Sequence, residues 1–288
     1  MDVERSGNGA APGSRRVRFR SPRGVGGGFV ADGIVVPEEG EPFEALDPET
    51  LELPAPYELL MPLEPSEVWC AGVTYERSRD ARIEESAVKD VYALVYEAER
   101  PELFLKDADC RRTVGPGHPI GVRGDSSWNV PEPEIGVVIG ERGSLVGLTI
   151  GNDVSSRSLE GENPLYLPQA KLFAGACAIG PAVLVPKDWD APLEIRMRIL
   201  DGASRELFAG ETSTSRMRRS FAELVEWLLR DNPVPAGSVL LTGTGLVPPD
   251  DFTLEPGHTV EIQVPGIGTL RNPVAPAADL LSRSDMPG

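Results

Sequence analysis

The chain has 288 residues, 40% of them hydrophobic, with 45 acidic against 28 basic side chains and a formal net charge of −17. That length suits one large domain or a main domain with a small appendage. The acidic balance argues against a nucleic-acid surface and for a soluble, cytoplasmic protein with a small-molecule partner, and no apolar run reaches the roughly 18 residues of a membrane-spanning helix.

Residues 1–14 are rich in Gly, Ser and charge; they are expected to be disordered and lack the apolar stretch of a secretory signal. Residues 15–62 read as a small N-terminal β subdomain of short runs broken by Gly and Pro. Within it, Gly26-Gly27-Gly28-Phe29-Val30-Ala31-Asp32-Gly33 is hairpin chemistry rather than a phosphate cradle. Residues 63–288 form the main domain. It opens with a strand over Val68–Val73, followed by a charged helical stretch from about residue 76 to 99 that stops before Pro101. After Phe104 the pattern becomes strand-rich, with turns at Gly115-Pro116-Gly117 and Pro186-Lys187-Asp188 and further strands near 193–200 and 259–264. The clearest helix runs from Ser220 to Leu229: Ser220 and Glu223 form a capping box, and Phe221, Leu224, Val225, Leu228 and Leu229 share one face. Beyond Pro273 the tail is expected to wrap the surface or a neighbour. Many short strands with few helices predict an α+β, mainly β fold.

Missing motifs narrow the chemistry. The three cysteines, Cys70, Cys110 and Cys177, lack CxxC spacing and read as buried thiols in a reduced compartment. His118 and His258 each follow Pro-Gly and read as loop residues. No HExxH, GxSxG or GxxxxGK[ST] pattern is present.

What remains is acidic. Glu132 and Glu134 precede the apolar run Ile135-Gly136-Val137-Val138-Ile139, and strand alternation places both on one side of a sheet. Pro133 between them marks an edge, a strand entrance or a bulge. Asp153 follows a second strand-like run, Leu145–Ile150. Like charges held this close need a cation or a shared proton, and three carboxylates at strand ends form a hard oxygen site suited to magnesium or manganese. The alternative is a solvated acidic face.

These residues resemble the fumarylacetoacetate hydrolase family, whose signature joins a Glu-x-Glu pair, a later Gly-x-Asp-x-Ser-x-Arg segment and a downstream lysine: here Glu132 and Glu134, Asp153 with Ser155, Ser156 and Arg157, and Lys171. The resemblance runs from about Val68 to Val274. It implies a mixed β roll or sandwich with a small leading domain, magnesium held by Glu132, Glu134 and Asp153, and assembly as a homodimer or homotetramer. Within the family the likeness is strongest to dehydratases of 2-keto-3-deoxy-pentonates, carried by Gly72-Val73-Thr74-Tyr75-Glu76-Arg77-Ser78, by Ala98–Lys106 and by Gly161–Lys171. Hydrolytic members carry a histidine shortly after the first of these motifs, and this chain has none there.

The resemblance implies dehydration of an oxo acid such as 2-dehydro-3-deoxy-D-arabinonate to 2,5-dioxopentanoate, through a metal-stabilised enolate formed as a C3 proton leaves. Lys171 is the candidate base, or the ammonium that holds the enolate; its alternative is a salt bridge to Glu160 or Glu162. Glu102 is the candidate for proton delivery to the departing hydroxyl, with a helix-end cap as its alternative. Thr244 and Thr269 match family loops that meet the substrate carboxylate, Ser155 lies in the metal motif, and Arg79 and Arg82 are candidates for sugar-acid oxygens. Ser158 and Ala174 depart from the family pattern. Competing readings are an acylpyruvate-type carbon-carbon hydrolase, an oxaloacetate decarboxylase, and a non-catalytic or repurposed scaffold.

Overall fold

The computed structural model describes residues 11–76 and 95–281, and strands dominate them. The N-terminal part contains β1 (Arg15–Ser21), β2 (Gly24–Ala31), β3 (Ile34–Pro37), β4 (Phe43–Glu44) and β5 (Glu58–Leu60). The Gly-rich run is β2, and Asp32-Gly33 turn it into β3 as hairpin chemistry predicts. Residues 11–14, expected to be disordered, instead form a turn in which Gly13 N donates to Val185 O at 2.7 Å, extending the pairing of β1. Residues 1–10 lie outside the described part.

The chain continues through β6 (Glu67–Gly72), β7 (Glu102–Ala108), β8 (Thr113–Val114), β9 (Ile120–Val122), β10 (Asn129–Val130), β11 (Pro133–Ile139), β12 (Leu145–Asp153) and β13 (Ser155–Ser156). Two short helices follow, α1 (Arg157–Glu162) and α2 (Leu167–Lys171), and then β14 (Cys177–Leu184), β15 (Glu194–Leu200) and β16 (Glu206–Ser213). Helix α3 (Phe221–Leu229), β17 (Val239–Leu241), β18 (Thr259–Val264), β19 (Gly268–Pro276) and α4 (Ala277–Leu280) complete the order. The expected helix is α3, capped by Ser220 Oγ, which accepts from Glu223 N at 3.2 Å. Most of the stretch expected to be helical between 76 and 99 lies outside the described residues. The tail beyond Pro273 does not simply wrap the surface: β19 runs on to Pro276 and pairs in parallel with β9, because its side chains keep alternating inward and outward.

The strands form a twelve-stranded mixed sheet, β4-β3-β2-β1-β14-β12-β11-β17-β6-β7, with β5 added on β1 and β8 on β14, and a five-stranded sheet, β16-β15-β18-β19-β9. Mixed sheets with few helices are the predicted mainly β, α+β architecture. On β15 the sequence Glu194-Ile195-Arg196-Met197-Arg198-Ile199 alternates exposed and buried, so Ile195, Met197 and Ile199 face Ile135, Val137, Leu148 and Ile150 of the large sheet. β11 is buried along its whole length, since Val138 on its other face joins Val68, Cys70, Cys177 and Leu241 in a second cluster. Each such aliphatic side chain contributes about 1.5–3 kcal/mol by burial, and these two clusters clamp the strands that carry the acidic residues.

Candidate active site

The carboxylates meet because β11 and β12 are antiparallel. Their register pairs Pro133 with Asn152 and Glu134 with Gly151, so the entrance of β11 lies beside the exit of β12. Pro133 is the first residue of β11, where its missing N–H costs no ladder bond. Asp153 N donates to Glu132 O at 3.0 Å and Glu132 N to Asn152 Oδ1 at 3.1 Å, which locks the two chains at the crossing. Glu132, Glu134 and Asp153 are all buried, and each offers an oxygen within 4.8 Å of the others. The solvated-face alternative is therefore overturned.

Among the described residues, three cations surround the acidic group. Lys171, the last residue of α2, donates from Nζ to Glu132 Oε2 at 2.6 Å, Asp153 Oδ2 at 2.7 Å and Ser155 Oγ at 2.6 Å. Glu132 and Asp153 are thus ion-pair partners of Lys171. Arg157, which begins α1, places Nη2 2.8 Å from Glu132 Oε1 and Nη1 3.9 Å from Glu160 Oε2. Lys106 Nζ lies 2.5 Å from Asp153 Oδ1 and donates to Val154 O at 3.0 Å. Lys106 reaches the site because β7 bulges: Leu105 opposes Trp69, Asp107 opposes Val68, and Lys106 between them has no partner on β6.

Glu134 differs from its two neighbours. Its Oε2 accepts from Gly243 N at 2.6 Å, and among the described residues it has no ion-pair partner. Gly243 is required there: its φ is +91°, and a Cβ would fall 2.0 Å from Thr74 Oγ1. Burial, and then the charges of Asp153 and Glu132, push the Glu134 carboxyl well above the ordinary carboxylate range, with Lys171 and the Gly243 amide opposing. A carboxylate buried between two others without a cation of its own is what a hard divalent ion would relieve, and an all-oxygen donor set suits magnesium. The residues present fit that ion.

The other expected residues divide. Ser155 is in the site as Lys171's third acceptor and donates its own hydroxyl to Asp153 O at 2.9 Å. Glu102 opens β7 opposite Gly72, where a Cβ would stand 2.0 Å from Glu102 Oε2, so it is a strand residue and not a helix cap. Alternation puts it on the face of Phe104, whose ring centre is 5.6 Å from Lys171 Nζ, and thus toward the site. Thr244 is buried, but its hydroxyl exchanges bonds with Leu246 of its own loop, at 3.1 and 3.2 Å. Thr269 is not brought to the carboxylates. It lines a separate cavity of about 820 Å³ with Thr50, Arg196 and Arg271, because β19 sends Leu270 into the core and Thr269 outward. Arg79 and Arg82 lie outside the described residues.

Both histidines are remote from this chemistry: His118 is exposed, with Nδ1 3.1 Å from Pro116 O, and His258 Nδ1 accepts from Glu255 N at 3.2 Å. Ser158 joins Ser126 and Ser156 in a hydroxyl cluster at 2.9 and 3.5 Å, away from the carboxylate oxygens. Ala174 packs its carbonyl against Gly121. Sequence reasoning missed Lys106 and gave no role to Arg157. The signal for Lys106 was the rarity of lysine, with four in the chain, and its place two residues after Phe104.

Comparison with known proteins agrees with this geometry. Residues 67–275 match the family model described as Fumarylacetoacetate (FAA) hydrolase C-terminal. A Haloferax volcanii protein named probable 2-keto-3-deoxyxylonate dehydratase is 53% identical over 215 residues, 74% of each chain. The 2-dehydro-3-deoxy-D-arabinonate dehydratase of Saccharolobus solfataricus is 45% identical over 219 residues, covering 74% of this chain and 73% of that one. A solved structure of 2-keto-3-deoxy-D-arabinonate dehydratase complexed with magnesium and 2,5-dioxopentanoate superposes with a TM-score of 0.79 at 34% identity, over 91% of this chain and 99% of that one. With the family model spanning most of the chain and the predicted acidic residues gathered at one sheet end, this protein belongs to the fumarylacetoacetate hydrolase family.

Proposed function

We propose that the protein is a magnesium-dependent hydro-lyase that converts a 2-keto-3-deoxy sugar acid, 2-dehydro-3-deoxy-D-arabinonate, to 2,5-dioxopentanoate and water. The observation that carries this reading is the buried carboxylate group Glu132, Glu134 and Asp153 ringed by Lys106, Arg157 and Lys171, in a chain that resembles dehydratases over nearly three quarters of its length. Glu132, Glu134 and Asp153 would hold the ion. When bound, magnesium supplies Lewis acidity at the 2-oxo oxygen, and manganese is the expected substitute.

The side chains supply the rest. All three N–H bonds of Lys171 are directed at oxygen acceptors, so it serves as an ammonium that keeps Glu132, Asp153 and Ser155 in register beside negative charge developing on the substrate. Glu102, on the same face of β7 as Phe104, is the proton carrier: it takes a proton from C3 and returns it to the hydroxyl leaving C4, so that water departs with both atoms balanced. Transfer of a proton from C5 to C3, and then from the C5 hydroxyl to C4, completes the aldehyde. Phe104 and Phe173, near the two ammonium groups at 5.6 and 5.8 Å, exclude water from them. Thr244 shapes the loop that delivers the Gly243 amide.

In this reading residues 63–288 form the catalytic domain and residues 15–62 a β subdomain, in a cytoplasmic homodimer or homotetramer. A hydrolase or decarboxylase acting on acylpyruvates or oxaloacetate is disfavoured by the remote placement of both histidines. The test is turnover of 2-dehydro-3-deoxy-D-arabinonate with magnesium and with chelator, in wild type and Glu134→Gln. Metal-dependent 2,5-dioxopentanoate that falls at least about 100-fold in the variant is expected; pyruvate released from an acylpyruvate instead, or product formed equally in chelator, would overturn the proposal.

A further inference from the structure

Asp153 is held by two ammonium groups that act differently. Lys171 takes Oδ2 and spans to Glu132 and Ser155, tying the acidic residues together. Lys106 ion-pairs with Oδ1 alone, at 2.5 Å, and donates its hydrogen bond to the backbone carbonyl of Val154 at 3.0 Å. It is fully buried, and the Phe173 ring centre lies 5.8 Å from its nitrogen. The bulge on β7 fixes its root, and Asp107 beside it is pinned by Thr113 Oγ1 at 2.7 Å and Arg112 N at 2.8 Å. Lys106 is therefore a rigid clamp on one oxygen of one carboxylate.

That clamp bears on which ion the site accepts. Magnesium binds six ligands in near-octahedral geometry at short distance, and monodentate carboxylates suit it. Calcium is larger, accepts six to eight oxygens, and commonly draws a carboxylate into bidentate contact. Both oxygens of Asp153 face an ammonium, but Lys171 keeps Glu132 and Ser155 as acceptors when an ion takes its place on Oδ2, whereas Lys106 has no other carboxylate to turn to, so an ion reaches Asp153 through Oδ2. We infer that Lys106 is a positioning residue that holds Asp153 monodentate and thereby sets the site's preference for magnesium and manganese over calcium. This rests on the divalent-ion site proposed above and deepens it, since it assigns the selectivity to a residue that touches no ion.

The experiment is calorimetric titration of the full chain with magnesium, manganese and calcium salts separately, in wild type, Lys106→Met, Lys106→Gln and Lys106→Arg, with melting curves in chelator to establish folding. Methionine keeps the apolar stem and removes the donor, and is expected to weaken magnesium binding about 10–100-fold, the usual effect of removing a residue that orients a metal ligand. Calcium should weaken less, so the ratio of the two affinities moves toward calcium by about tenfold. Glutamine, one bond shorter than lysine, gives the same shift and replaces methionine if that variant does not fold. Arginine retains a charged donor toward Oδ1 and keeps the wild-type ratio. A folded methionine or glutamine variant with an unchanged magnesium-to-calcium ratio would overturn the role of Lys106 alone, whereas a wild type that binds no divalent ion would remove the site and the clamp together.

Discussion

Replacing Lys171 with methionine tests whether its ammonium is the counter-ion of the metal-free site. The side chain is 2% exposed and lies within 2.6–2.7 Å of Glu132 and Asp153. Removing one partner of a buried ion pair costs about 3–5 kcal/mol, because the remaining charge is left without compensation in a poorly solvated place. Here the loss belongs near the lower end, about 3 kcal/mol, since Arg157 still holds Glu132 Oε1 and Lys106 still holds Asp153 Oδ1. For a protein of this size, each kcal/mol moves Tm by about 2–4 °C, so the variant should melt about 6–12 °C below wild type in chelator. A divalent ion acts on the same oxygens: at one hundred times its Kd it returns about 2.7 kcal/mol. The variant in magnesium should thus recover the Tm of metal-free wild type while its turnover stays lost. The assay is thermal melting followed by circular dichroism, in chelator and across a magnesium titration. A Tm within about 2 °C of wild type in chelator would refute the assignment of Lys171 as buried counter-ion.

Two further outcomes follow from particular contacts. Gly72→Ala places a Cβ 2.0 Å from the present position of Glu102 Oε2, so the carboxylate must move; kcat should fall about 10–100-fold with magnesium affinity nearly unchanged, and a variant of wild-type kcat would remove Glu102 as proton carrier. Burial, then the charges of Asp107, Glu64 and Asp109, raise the Cys110 thiol to about 12, and burial pushes Cys70 and Cys177 up as well. At pH 8 only about one Cys110 in ten thousand is thiolate, so a disulfide reagent should modify the native protein slowly, about tenfold faster per pH unit, and reach three thiols per chain once unfolded; a rapid stoichiometric reaction at pH 8 would contradict this.

Much of the site was legible along the chain. Glu132 and Glu134 sit at positions of equal parity before an apolar run and Asp153 ends a second run, so local periodicity and residue chemistry sufficed to name the three acidic members, while the family resemblance supplied Lys171. The hairpin at Asp32-Gly33 and the Ser220 cap were equally local, because turn and cap preferences depend on a few adjacent dihedrals. Thr269 shows the limit: its loop motif looked like a substrate contact, yet which face of β19 turns outward is decided by the packing of Leu270 against the other sheet. Lys106 shows it more sharply. Alternation from Phe104 gives its face, but a one-residue bulge against β6, set by pairing with a segment some thirty-five residues earlier, leaves it without a β6 partner beside Asp153. Sequence by itself determined which residues could bind an ion and which elements would carry them, since those follow from short-range geometry. Only the tertiary structure decided which cation meets which carboxylate oxygen, because register, bulges and burial are properties of strands that find each other across the fold.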